Sequence, residues 1–174
     1  KQKQYEYTIT YAPPKPTRTK THFSNKEIQH LTIAAILVIG IGVSWGTFLN
    51  TDTQITDPLK LAVFTAILTA SFFAHEIAHK IAAQRNGLWA EFRITSMGAI
   101  LTLFSIFSPI FKIISPGAVV VAGPADKESM GRISIIGPAT NIMLSTMILT
   151  AAFLLPQYTQ TLLLGAAVNA WIAL

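Results

Sequence analysis

His75-Glu76-Ile77-Ala78-His79 lies within an apolar run, from about Leu61 to Ala83, that is long enough to cross a membrane as a helix. Two histidines four residues apart share one face of a helix and can bind one metal ion, and the glutamate beside them can reach a water on that metal. Ionisable groups in an apolar span are costly unless they are paired or bind a metal. The segment therefore predicts a transmembrane helix that carries a zinc site.

The composition also indicates a membrane protein. Of the 174 residues, 51% are hydrophobic and 12% are charged, whereas soluble domains carry about 25% charged residues. Cysteine is absent, which excludes disulfides, thiolate–zinc sites and thiol catalysis. The net charge of +5 does not indicate nucleic-acid binding, because the basic residues are expected to cluster on one side of a lipid bilayer.

Apolar segments recur along the chain and predict an α-helical polytopic membrane protein with about four transmembrane helices. Residues 1–23 are polar and proline-containing, and are expected to form a flexible cytoplasmic arm, whereas residues 24–174 form the membrane-embedded core. Ser24 and Glu27 match a capping box at the start of the first helix. The expected spans are residues 28–49, 61–83, 133–155 and a last one from about residue 160, with residues 126–132 as a charged loop.

The stretch between the second and third long spans has a different character. Residues 99–114 are apolar but short, and strand signals occur at residues 93–101 and 117–123. We expect residues 88–123 to form a small membrane-associated β or re-entrant element. Every basic residue except Lys60 then lies on the cytoplasmic side, together with the amino terminus and the zinc site.

The motif residues predict zinc-dependent hydrolysis. His75 and His79 supply two of the three protein ligands that a catalytic zinc needs, and Glu76 is the candidate general base for a water on the metal. The structural alternative is a polar cluster that joins neighbouring helices by hydrogen bonds. His22 and His30 have no partner at metal-binding spacing, and we interpret both as interfacial or solvated.

With these residues in view, the chain resembles the archaeal site-2 protease family of intramembrane zinc metalloproteases over most of residues 24–174. The strongest likeness lies in residues 73–93, and shorter ones lie in residues 115–119, 131–134, 137–141 and 169–174. The resemblance implies a multi-pass cell-membrane protease that cleaves single-pass or helical membrane proteins.

The resemblance also exposes a gap. In the family, the third zinc ligand is the aspartate of a segment like F-N-x-x-P-x-x-P-x-D-G, and this sequence stops just before such a segment. We expect the sequence to be an incomplete part of a longer protein. The alternatives are a short inactive relative and a site that another chain completes.

Two further candidates belong to the cleft that the resemblance implies. Asn141 could donate a hydrogen bond to a developing oxyanion, or it could join two helices. A strand of the family's kind could capture an unwound substrate by strand addition, or it could be an ordinary interfacial hairpin. The candidate substrate-binding residues of this strand are Gly117, Ala118, Val119 and Val120.

The competing functions are of other classes. One is a catalytically inactive membrane scaffold or partner protein of the same fold. Another is a metal-binding membrane protein or transporter, for which a single intramembrane acid, Glu76, is a poor match. The substrate's identity and the oligomeric state are not indicated by the sequence.

Overall fold

A computed structural model describes residues 21–48, 55, 57–109 and 111–173. Residues 1–20 of the predicted arm lie outside this part. The elements, in chain order, are α1 (Asn25–Phe48), α2 (Pro58–Arg85), β1 (Trp89–Ile94), α3 (Ser96–Phe107), β2 (Gly117–Ala122), α4 (Lys127–Leu154) and α5 (Thr159–Ile172). A short 3₁₀ turn, Pro156–Tyr158, leads into α5.

Three of the described helices, α1, α2 and α4, are long and apolar enough to cross a membrane. The two longest, α2 and α4, each have 28 residues and therefore rise about 42 Å. In contrast, α3 has 12 residues and α5 has 14, fewer than the roughly 20 that a transmembrane helix needs. The structure thus supports an α-helical membrane protein, and a fourth span is not shown.

Helices α1 and α2 lie antiparallel and pack closely through glycines of α1. Gly42 lies against Thr65, and Gly46 lies against Leu61. Close approach of this kind suits helices in lipid, where van der Waals packing supplies much of the attraction between them. The main apolar core joins the two helices to β1 and α5, and its buried members are Ala34, Val38, Ile41, Phe64, Leu68, Phe72, Phe92 and Val168.

Strands β1 and β2 pair antiparallel, with Trp89 opposite Ala122 and Ile94 opposite Gly117. The chain between the strands therefore leaves and returns at the same end of the helices, as a re-entrant element does. The predicted position of the first strand was wrong. Residues 96–101 are helical, and the Thr95 side chain caps α3 by accepting the Gly98 N–H at 3.2 Å.

The connection from α3 to β2 reaches toward the far end of α1. The Lys112 ammonium donates to Ser44 Oγ at 2.6 Å and to the carbonyls of Ser105 at 2.9 Å and Ser108 at 2.6 Å. Ser44 lies about 28 Å along α1 from its first residue at 1.5 Å per residue. The expectation that Lys60 alone lies at this end is therefore wrong, because the Lys112 ammonium joins it there and binds carbonyls near the end of α3.

Helix α4 begins earlier than the sequence predicted, at Lys127. Asp126 caps it by accepting the Ser129 N–H at 2.7 Å, and this hydrogen bond holds the pKa of the exposed Asp126 below its usual range. The predicted charged loop at residues 126–132 therefore consists mostly of the first helical turns. Helix α4 packs against α2 and α5, and the Ser145 hydroxyl donates to the Ala166 carbonyl at 2.8 Å.

Candidate metal site and strand-lined cavity

The two motif histidines converge on one point. They lie one turn apart on α2, and their Nε2 atoms are 3.1 Å apart. Two nitrogens bound at 2.0–2.1 Å to one tetrahedral zinc ion lie about 3.4 Å apart. The pair therefore fits a shared metal ion with little movement of either ring.

A contact to α4 determines which His79 nitrogen is available. Nδ1 of His79 lies 2.7 Å from the Ile133 carbonyl oxygen. Because a carbonyl only accepts hydrogen bonds, Nδ1 carries the proton, and Nε2 keeps the lone pair that a metal requires. This is the orienting contact that metal-binding histidines usually make.

Two further residues of α4 lie against the histidines. A methyl group added at Gly137 would overlap His79 Nε2 and would lie 2.6 Å from His75 Nε2. Asn141 follows one turn later, is fully buried and lies beside His75. The Asn141 amide interacts with the His75 side chain, although the amide atoms of Asn141 and Nδ1 of His75 do not complete a hydrogen bond of ordinary geometry with any described residue. Gly137 thus leaves room for an ion, and the buried Asn141 amide lies next to that space.

Glu76 lies between the histidine pair and the sheet. Its side chain is buried, and Oε2 accepts a hydrogen bond from the Val119 N–H of β2 at 2.9 Å. A cavity of about 430 Å³ contains the motif and part of β2, and its lining residues are His75, Glu76, His79, Ala118, Val119, Val121, Met130, Ile133 and Ser134. The motif and one strand edge therefore share a single space.

The predicted substrate-binding strand is only partly in this cavity. Ala118 and Val119 line it, as does Val121, which belongs to the predicted strand but was not among the four candidate substrate-binding residues. Gly117 and Val120 are not among its lining residues. Gly117 instead allows close pairing of the strands, because a methyl group there would overlap the Arg93 carbonyl.

The two edges of the sheet differ. Along β1, the outward N–H groups of Phe92 and Ile94 donate to Glu27 Oε1 at 2.9 Å and His30 Nδ1 at 3.1 Å, respectively. Hydrogen-bonding directions alternate along a strand. The Val119 N–H points away from β1 toward Glu76, so the outward edge of β2 lies on the cavity side.

Sequence reasoning missed the roles of Glu27, His30 and Lys80. Ser24 Oγ accepts the Glu27 N–H at 3.1 Å, which confirms the first half of the capping box. The Glu27 carboxylate makes its contacts with Lys80 and Phe92, far along the chain. His30 is half-buried and bonded to the sheet, a contact that its interpretation as interfacial or solvated did not include. His22, also interpreted so, is exposed, and its carbonyl accepts from Lys80 at 2.7 Å.

Among the residues that the structure describes, no third candidate ligand stands beside the histidine pair and Glu76. Across the described ranges, no group of three or more histidine, cysteine, aspartate or glutamate residues is arranged to hold a metal ion. The observed geometry is thus that of two ligands and an adjacent carboxylate.

One comparison with known proteins is informative. The chain is similar to "Putative zinc metalloprotease MJ0611" of Methanocaldococcus jannaschii, with 34% identity over 129 residues. This similarity supports a zinc metalloprotease family. The match covers 71% of the chain and 60% of the relative, so the chain spans less than two thirds of that protein. No protein-family model matches the chain, and no solved structure matches it.

Proposed function

We propose that the chain is the core of an intramembrane zinc metalloprotease of the site-2 type. The observation that carries this proposal is the convergence of His75 Nε2 and His79 Nε2 to 3.1 Å, beside a buried glutamate and within an apolar helix. The similarity to a zinc metalloprotease supports the same chemistry.

His75 and His79 would hold the metal, and a zinc ion there supplies polarisation of the scissile carbonyl and activation of water. Glu76 acts as the general base that accepts a proton from the attacking water, and then as the acid that protonates the leaving amine. Asn141 has a buried amide beside His75, and in this proposal it donates to the oxyanion that develops on the substrate.

Helix α5 runs toward the histidine pair, which indicates a direction from which a third zinc ligand could come. Gly165 of α5 packs against Ile67 of α2, and the two helices run in the same direction because both lie antiparallel to α4. Counting eight residues further along each helix, from Gly165 on α5 and from Ile67 on α2, leads to residue 173 and to His75. Because both helices rise by the same distance per residue, residue 173 lies at about the level of His75. The approach of α5 to the level of the pair supports a third ligand from that direction, as the family resemblance implies.

The substrate we propose is a single-pass or helical membrane protein. A helix ties up its own carbonyls in hydrogen bonds, so it has to unwind before a peptide bond can be attacked. An extended segment then joins the outward edge of β2 by strand addition, which places its backbone along the cavity that contains Glu76. Open backbone at membrane depth is tolerated where it lines such a cavity.

The membrane arrangement we propose is multi-pass, with the amino terminus and the metal site toward the cytoplasm. Among the described residues, Lys26, Arg85, Lys127 and Arg132 lie at or near one end of the helices, and Lys60 and the Lys112 ammonium lie toward the other. Basic residues favour the cytoplasmic side, so this asymmetry supports the orientation.

The test measures zinc content and cleavage of a model transmembrane peptide in the same samples of full-length protein. We expect about one zinc per chain together with cleavage, and loss of both in His79→Ala. His22→Ala is the matched control, because this exposed histidine lies outside the cavity, and it keeps both. A full-length protein that binds no zinc would overturn the proposal. Zinc binding without cleavage would favour the inactive scaffold or the metal transporter.

A further inference from the structure

We infer that Glu27 and His30 are positioning residues that close the outer edge of β1, so that an extended peptide joins the sheet at β2. The nature of the peptide rests on the proposed function. The closed edge itself rests on contacts among described residues.

The two side chains contact consecutive outward N–H groups of the strand. Glu27 and His30 lie three residues apart on one face of α1. Phe92 and Ile94 lie two residues apart, so their N–H groups point the same way. The donor–acceptor distances are 2.9 Å and 3.1 Å. A peptide arriving from this side finds both donors occupied and α1 in its path.

Glu27 is held in place by its other carboxylate oxygen. It forms an ion pair with Lys80, and both side chains are at most 1% exposed. Lys80 follows His79 directly in the chain. A buried ion pair contributes little net stability compared with an apolar pair, and its best-attested role is to set register. Here it links the position of β1 to the helix that carries the motif.

The outer edge of β2 has fewer backbone groups that already form hydrogen bonds. On β2, the Val119 N–H donates to Glu76, and none of the described residues forms a hydrogen bond with the outward-facing backbone of Val121. Val121 also lines the cavity. Unpaired edge groups recruit another strand, so closing β1 directs strand addition to the edge beside Glu76.

His30 allows a clean test, because its replacement leaves no buried charge unpaired. His30→Leu removes the acceptor, and His30→Asn keeps an oxygen near the position of Nδ1. In full-length protein in detergent micelles, we expect the Ile94 amide of His30→Leu to exchange with deuterium about fivefold faster than in the wild type, as suits the loss of one hydrogen bond. His30→Asn restores slow exchange.

A photo-crosslinking peptide shows which edge accepts a strand. With a benzophenone-bearing peptide of the sequence used for cleavage, crosslinks form on β2 in the wild type and in His30→Asn, and extend to β1 in His30→Leu. Wild-type crosslinks on β1, on both strands equally or on neither would overturn the inference. So would unchanged Ile94 exchange in His30→Leu.

Hydrolysis is scored separately from these two measurements. Crosslinks on β2 without any hydrolysis would leave the closed edge of β1 standing and remove the protease function. Hydrolysis with crosslinks on β1 would leave the protease function standing and overturn the closed edge of β1.

Discussion

The Glu76 carboxylate accepts a hydrogen bond from the backbone N–H of Val119 at 2.9 Å. This contact joins the proposed general base to the strand edge at which we expect a substrate to bind. An added strand would need that same N–H as a donor. We therefore expect capture of a peptide to displace the carboxylate from β2 and to free it to contact the attacking water.

Replacing Glu76 by glutamine separates the base from the hydrogen bond. The glutamine oxygen still accepts from Val119, but it cannot take a proton from water. We expect peptide cleavage to fall by about 10²–10⁴-fold while zinc content stays at the wild-type level, as measured by mass spectrometry of the peptide products and by elemental analysis. Glu91→Gln, a matched change outside the cavity, keeps activity. Glu76→Gln with activity within twofold of the wild type would exclude the assigned role.

Adding one methyl group at Gly137 tests the space around the histidines. In Gly137→Ala, the new carbon overlaps His79 Nε2 and crowds His75 Nε2, so we expect zinc binding to fall at least tenfold. Gly131→Ala on the same helix is the matched control, because nothing lies within 4 Å of the added carbon there. Equal zinc affinity in the two variants, measured by competition with a chelator, would show that Gly137 does not adjoin the metal.

Separate measurements of turnover and of stability distinguish the two candidate roles of Asn141, oxyanion donation and contact between helices. Asn141→Leu removes a buried amide that completes no hydrogen bond of ordinary geometry with a described residue, so we expect little loss of stability. If the amide donates to the oxyanion, kcat falls about 10²–10³-fold and zinc remains bound.

Asn169 is the comparison residue for this measurement. Its amide nitrogen donates to the Gly165 carbonyl at 2.9 Å within α5, so Asn169→Leu should lower thermal stability and preserve turnover. A loss of stability without a loss of kcat in Asn141→Leu would identify Asn141 as a contact between helices.

Because Glu27 and Lys80 form a buried ion pair, we expect the stability losses caused by replacing each of them to be non-additive. Lys80→Met leaves the Glu27 carboxylate buried without its partner, which should destabilise the fold by about 3–5 kcal/mol. Adding Glu27→Gln removes the stranded charge and keeps an acceptor for the Phe92 N–H, so the double variant recovers most of that loss. Denaturant titrations in mild detergent measure the cycle, and additive losses would contradict the pairing.

The contribution of Asp126 to the stability of the fold should depend on pH and decrease as the pH falls. The Ser129 hydrogen bond holds its folded-state pKa below the ordinary value of about 3.9. Its contribution to stability is therefore complete above that ordinary value and is lost as the pH falls through the lower folded-state pKa. The difference in thermal midpoint between the wild type and Asp126→Ala should shrink below about pH 4. A difference that is constant from pH 6 to pH 3 would contradict this role.

The features predicted most accurately from the sequence are those that depend on residues close together in the chain. The spacing of His75 and His79 places both on one helix face in any context, and the apolar runs predicted the long helices. The contacts of Glu27 and His30 are with backbone groups 64 or 65 residues away, and no local pattern identifies them. The Lys112 ammonium was misplaced for a related reason, because its depth depends on how far α3 extends along α1.

The hydrogen bonds on the two edges of the sheet have a further consequence for handling the protein. Exposed strand edges are templates for pairing between copies of a chain, and they promote aggregation. Here the Glu27 and His30 contacts from α1 cover the edge of β1, which leaves β2 as the edge that is open to pairing. Loss of these contacts would expose a second edge, so we expect it to increase β-type aggregation of detergent-extracted protein, first detected as faster aggregation during storage.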